Sequence, residues 1–375
     1  MILKISYGKE TGMKNNALEL YRFIFAYLVV FLHLFTINGR WGGGFIAVEF
    51  YFVLSGALMI ISIKKHYDST QSATKICCQF TWHRIKRLIP YTMMLFILSS
   101  VKIVLTAGEN GIKELLIFSL RNLSDLFFLT SSGMGIRTGT SDVGLWYLSA
   151  LIIVGHLICY LYVKYDETFV YIIAPLSILM IYGRFALLHG TVGVHLTGAF
   201  PELGISEAFL RAFAGISLGV ICYYIGEMLK TKQLKSGIRN MLGVLELIGL
   251  LGLVFYAYYF GRFEMEFVAI GIICMIIILE LGNDSIIKKG LNNKVSGYLG
   301  RISLCIYLLH RQISPSLDRI FKYYQIERNV NRMIIGSVII LICSSIIEFI
   351  VSNINAGVKA LTAKTLTAKT QDHSD

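Results

Sequence analysis

Apolar runs of roughly 18 to 24 residues alternate with short breaks rich in Gly, Asn, Lys and Arg from residue 18 to residue 352. A helix rises about 1.5 Å per residue, so about 20 apolar residues cover the ~30 Å hydrocarbon core of a bilayer. The pattern predicts ten membrane spans, at 18–37, 44–63, 88–106, 143–163, 168–188, 206–228, 241–260, 265–282, 298–314 and 332–352. Residues 113–132 are apolar too, but Arg121 and Asp125 interrupt them, which suits an interfacial or re-entrant helix. The expected fold is an all-α polytopic integral membrane protein. A segment over 1–17 and a polar tail over 353–375, with its LTAKT repeat, flank one transmembrane domain over 18–352. The tail reads as disordered.

Composition agrees with this layout. Of the 375 residues 55% are hydrophobic and 15% charged, against about a quarter charged in a soluble domain. The net charge of +12 is spread over short loops, where it sets topology rather than binding nucleic acid. With the N-terminus inside, the inner loops collect Lys64, Lys65, Lys75, Arg84, Lys86 and Arg87, among others, and both termini face the cytoplasm. The group Arg311, Arg319, Lys322 and Arg328 runs against that rule. The N-terminal segment lacks the apolar core of a signal peptide, so the first span is expected to remain as an anchor. Seven cysteines show neither zinc-ligand nor disulfide-framework spacing, and no metal site is expected.

The informative residues are those out of place in lipid. Arg22 and His33 both lie in the first span, eleven residues apart. At about 100° per residue they share one helical stripe, about 16 Å apart along the axis. Snorkelling of Arg22 and a helix-packing hydrogen bond from His33 are the structural alternatives, but ionisable residues inside a membrane point first to function. The second span brings Glu49 to a depth similar to that of His33, where a carboxylate would stabilise the imidazolium of a general base. A rim carboxylate paired with Arg40 is the alternative. The next helix opens on Arg84 and Arg87, one turn apart, a fork suited to phosphate or equally to topogenic charge. Ser55-Gly56 reads mainly as a helix contact. Asp142, Trp146, Tyr147 and Ser149 lie at the start of the fourth span, and Arg301, Ser303 and His310 in the ninth. Arg211 is expected to pair with Glu207, one turn away on the same helix.

Taken in order, Arg22 to His33, then FIAVEFYFVLSGALMI, WHRIKRLIPY, LWYLSAL and SLCIYLLH, these stretches resemble the membrane-bound acyltransferase-3 family. That family acylates hydroxyl or amino groups on envelope glycans and other acceptors. The resemblance implies His33 as the essential histidine, with Arg22, Arg84 and Arg87 holding acyl-CoA. Glu49 stands where many relatives carry aspartate. Ser55, Trp146, Tyr147, Ser149 and His310 would support the pocket.

The implied activity is O-acyl transfer, most simply O-acetyl transfer. Acetyl-CoA would be the cytoplasmic donor substrate, with no permanently bound cofactor. The acceptor would be a hydroxyl of a cell-surface polysaccharide, O-antigen or lipid-linked glycan, reached at the inner membrane. Direct transfer with His33 as base and a transient acyl-histidine remain alternatives. The competing class is a transporter or flippase, whose buried charges would line a substrate path.

Overall fold

The computed structural model describes residues 15–36, 40–67, 70–130, 145–192, 199–200, 205–260, 265–327 and 330–371. Thirteen α-helices are found there: α1 Asn16–Leu34, α2 Ile46–His66, α3 Ala73–Thr106, α4 Gly111–Arg121, α5 Leu123–Leu126, α6 Leu145–Thr168, α7 Ala174–His189, α8 Glu207–Thr231, α9 Ser236–Tyr259, α10 Glu266–Gly282, α11 Ile286–Leu291, α12 Lys294–Tyr323 and α13 Val330–Gln371. A two-residue antiparallel pairing, Ala199–Phe200 (β1) with Ile205–Ser206 (β2), interrupts this helical order just before α8.

Seven stretches are long and apolar enough to cross a membrane. The ten expected spans all fall on helices, but the count of ten is not confirmed. The fourth and fifth share one stretch of 45 residues, Leu145–His189. That stretch carries a non-helical residue at Asp166 and a π-helical turn at Phe169–Ile173. The eighth lies in α10, only 17 residues long, and the ninth in the more highly charged α12. Where the sequence predicts an interfacial or re-entrant helix over 113–132, the described residues form two short helices, α4 and α5. α4 packs on α3 through Phe96 and Phe118, whose rings stack at 5.3 Å, and leaves Ile112, Leu116 and Leu120 exposed along one stripe. The tail departs from expectation: α13 continues to Gln371, because Ala, Leu and Lys in the LTAKT repeat are good helix formers.

Close helix approaches order the bundle. A Cβ on Gly219 of α8 would stand 1.9 Å from the Val53 carbonyl oxygen of α2, and one on Gly56 of α2 would stand 2.0 Å from that of Ile216. These two glycines let α2 and α8 meet backbone to backbone, so Gly56 is the helix contact its sequence suggested. α1 and α12 run parallel and pack closely. A Cβ on Gly297 would collide with Asn16, and one on Gly300 with Glu19.

Candidate active site

The parallel packing of α1 on α12 decides where His33 lies. With Asn16 beside Gly297 and Glu19 beside Gly300 at one end, the last turn of α1 meets the middle of α12. There His33 and His310 stack, ring centroids 5.2 Å apart and planes 19° from parallel. His310 is 1% exposed. Its Nδ1 contacts the Tyr307 carbonyl oxygen at 2.5 Å, which fixes Nδ1 as the protonated nitrogen. Nε2 is then a lone-pair acceptor, and it has no hydrogen-bond partner.

Tyrosines lead from this pair to the arginines. The Tyr307 ring lies 6.0 Å from His310, 5.6 Å from Tyr147 and 6.1 Å from Tyr51, while Tyr51 and Tyr147 are 6.1 Å apart. Tyr51 donates its hydroxyl proton to the Arg22 carbonyl oxygen at 2.5 Å. α2, α6 and α12 each contribute one ring, so the ladder is a tertiary feature.

At its far end Arg22 pairs with Glu19 at 2.8 Å. Arg87 sits in the electrostatic field of both, and Arg84 in that of Arg87 and Tyr147. Arg84 reaches the Leu151 carbonyl at 3.4 Å and lies over the Phe80 ring at 4.9 Å. The three predicted arginines therefore lie in one another's fields; among the described residues only Arg22 forms an ion pair, with Glu19, and Arg87 also feels Glu348. Ser55 lies beside Tyr147.

Glu49 is a different matter. Its Oε2 accepts from Arg211 Nε at 2.9 Å and its Oε1 accepts from the Tyr182 hydroxyl. Both oxygens are occupied, and the pairing with His33 across the first hairpin is not made. The first turn of α2 faces α8, where Gly215 leaves room for the carboxylate: a Cβ there would be 2.8 Å from Oε1. Arg211 is correspondingly not neutralised by Glu207, which pairs with His189 at 3.3 Å. Trp146 belongs to this second cluster, with the Arg211 guanidinium 5.5 Å over its ring. Ser149 is fully buried on the same helix. Asp142 lies outside the described residues.

Sequence reasoning passed over Tyr51 and Tyr307, since a tyrosine in an apolar run looks like any core aromatic. It also passed over a third polar group. Tyr21 donates to Glu246 at 2.8 Å, while Glu280 accepts from Asn15 at 2.6 Å and pairs with Lys288 at 3.5 Å. The signal available was a glutamate inside each of two apolar helices, α9 and α10. Among the described residues no group of three or more His, Cys, Asp or Glu side chains is placed to hold a metal ion.

Apolar helices enclosing an imidazole pair, a tyrosine ladder and an arginine cluster define a polytopic membrane protein with an internal polar site. The chain belongs to the acyltransferase-3 family, described as an acyltransferase domain, which matches residues 15–350. It is a membrane acyltransferase. No curated protein and no solved structure matches it. Nothing in the family match supports the transporter alternative.

Proposed function

We propose that the protein moves an acetyl group from cytoplasmic acetyl-CoA to a hydroxyl of a cell-surface polysaccharide, O-antigen or lipid-linked glycan, with His33 as general base. The observation that carries this reading is the stacked His33–His310 pair, joined by Tyr307, Tyr147 and Tyr51 to the cluster of Arg22, Arg84 and Arg87. The donor's phosphates would sit on the arginines, where forked guanidiniums favour them. The pantetheine arm would follow the aromatic ladder for about 16 Å, the rise of eleven residues of helix, and present its thioester at His33.

The acceptor oxygen attacks the thioester carbonyl carbon while His33 takes its proton. The C–S bond then breaks, and the proton passes from the imidazolium to the departing thiolate. His310 stays neutral in this scheme, because a second positive ring 5.2 Å away would oppose protonation of His33. Glu49 has a structural task instead: it holds Arg211. With both termini cytoplasmic at the inner membrane, the arginines would face the donor side and His33 the acceptor.

The test is label transfer from acetyl-CoA to cell glycan in membranes that hold equal amounts of wild-type protein, His33→Ala or Arg22→Ala. His33→Ala should abolish transfer and retain acetyl-CoA binding, whereas Arg22→Ala should weaken binding. Full transfer by His33→Ala would refute the mechanism.

A further inference from the structure

Two cysteines far apart in the sequence meet at the arginine end of the bundle. α3 and α6 pack antiparallel there, and three contacts set their register. Arg84 reaches the Leu151 carbonyl oxygen at 3.4 Å, and a Cβ on Gly155 would stand 3.0 Å from its Nη1. About one turn earlier on α3, the Thr81 hydroxyl meets Nδ1 of His156 at 2.8 Å. One turn earlier again, the same register sets Cys77 opposite Cys159, and the two thiols are in hydrogen-bond contact. Both are fully buried. Cys77, Phe80 and Arg84 share one face of α3, since seven residues close two turns.

The location of the pair matters as much as the contact. Cys77 precedes the apolar run that opens at residue 88 by eleven residues, about 16 Å of helix. Cys159 lies one turn from the end of the run over 143–163. The pair therefore sits at the ends of both helices that the proposed topology turns to the cytoplasm. Its neighbour Cys78 is exposed, which shows how near the surface comes. Cys222 of α8 and Cys274 of α10 make a similar contact, but they lie six and eight residues inside the apolar runs 206–228 and 265–282.

Two thiols in contact are a reacting sulfur with its resolving partner already in reach. We propose that Cys77 and Cys159 form a redox-modification site, which a hydroperoxide converts to a disulfide that tightens the α3–α6 seam and displaces Arg84 from the donor. One cysteine sulfur attacks the hydroperoxide, so that an S–O bond forms, the O–O bond breaks and an alcohol or water leaves. The second sulfur attacks the first, the S–S bond forms, and the S–OH oxygen leaves as water with the remaining thiol proton. Two thiols lose two electrons and the hydroperoxide gains them. In a reducing compartment the pair rests as thiols. The S–S bond, ~2.05 Å, is shorter than any contact between unbonded sulfurs, so oxidation draws the two helices together. Arg84 has no room to absorb that movement, because its Nη1 lies where even a methyl on Gly155 would crowd it. The effect on the donor rests on the acetyl-CoA reading of the arginines.

The test exposes the full chain in lipid nanodiscs to hydrogen peroxide and maps linked peptides by mass spectrometry without reduction. Acetyl-CoA binding is measured before oxidation, after it, and after dithiothreitol. The Cys77 and Cys159 peptides should appear joined, and affinity should fall at least about tenfold, the loss of one charge-assisted contact. Dithiothreitol should reverse both changes. Cys77→Ala and Cys159→Ala should each keep their affinity under peroxide, whereas Cys78→Ala should lose it as wild type does. The peptide map of wild type needs no variant, so a variant that fails to fold leaves the test intact. No Cys77–Cys159 link, a link through Cys78 or between Cys222 and Cys274 in its place, or unchanged affinity of the linked protein would overturn the proposal. A Cys77–Cys159 disulfide in a protein that binds no acetyl-CoA even when reduced would support the redox site and count against the acetyl-CoA reading alone.

Discussion

Two groups of charged side chains lie within the same apolar bundle and are built in opposite ways. In the Glu49–Arg211–Tyr182 group each formal charge has its counter-charge. The arginine is 1% exposed and the glutamate fully buried, and Gly215 and Trp146 are shaped around them. In the other group only Arg22 of the three arginines forms an ion pair among the described residues, with Glu19, and the buried His310 keeps an Nε2 that no hydrogen bond satisfies. A closed ion pair is explained by the fold that contains it. Arginines without an ion-pair partner and an unsatisfied buried imidazole cost stability, and a bound ligand would account for both. The groups differ in burial as well: Glu49 and Arg211 are buried, whereas Arg22 and Arg84 are half-buried and Arg87 is exposed.

The largest effect that would break this contrast is on turnover. His33→Ala should lower acyl transfer about 10²- to 10⁴-fold, the usual contribution of a positioned general base, with the unfolding temperature in detergent nearly unchanged. Steady-state turnover and thermal unfolding on one preparation measure both. Next in size, Arg211→Ala should do the reverse. It leaves the Glu49 carboxylate buried without its partner, at about 3–5 kcal/mol, and should lower thermal stability sharply while folded molecules still turn over. If Arg211→Ala proved as stable as wild type but inactive, the second group would belong to the reaction.

The difference between the groups was only partly legible in the sequence. The shared stripe of Arg22 and His33 follows from helical period alone, and the structure keeps both on α1, with His33 on α12's His310. The position of Glu49 does not follow from period. Sequence gives its depth, from its distance to the loop, but not the direction it faces, and that is set by Gly56, Gly215 and Gly219 bringing α8 against α2. Arg211 misled for a related reason. A glutamate one turn away is the natural local partner, yet Glu207 turns to His189 on α7, which leaves Arg211 for a residue 162 positions earlier. Tyr51, Tyr147 and Tyr307 come together from three helices; the sequence put Tyr147 with the pocket, but nothing set Tyr51 and Tyr307 apart from other core aromatics.

A smaller effect tests the packing on which the closed group depends. In Gly219→Ala the new methyl would stand 1.9 Å from the Val53 carbonyl oxygen, so α2 and α8 must separate. Overpacking of this kind costs about 1–3 kcal/mol. Because Glu49 and Arg211 lie on those two helices, the separation should also stretch their ion pair. Combining Gly219→Ala with Arg211→Ala should then cost less than the sum of the two alone, as a double-mutant cycle would show. Strict additivity would mean that the glycine contact and the ion pair are independent supports.

The smallest effect probes whether the ladder only carries rings or also fixes the arginine end. Tyr51→Phe keeps the ring, and with it the contacts to Tyr147 and Tyr307, but deletes the hydroxyl that donates to the Arg22 carbonyl oxygen at 2.5 Å. The lost bond should cost about 1 kcal/mol of stability. A backbone carbonyl within a helix already accepts from the next turn, so the change leaves no new unsatisfied acceptor and the helix should hold. If the hydroxyl positions Arg22 for the donor, the KM for acetyl-CoA should rise several-fold with kcat nearly constant, since uniform binding is lost and transition-state stabilisation is not. A fall in kcat at unchanged KM would instead place Tyr51 with His33, and the boundary between donor binding and chemistry would have to be drawn one ring closer to the arginines.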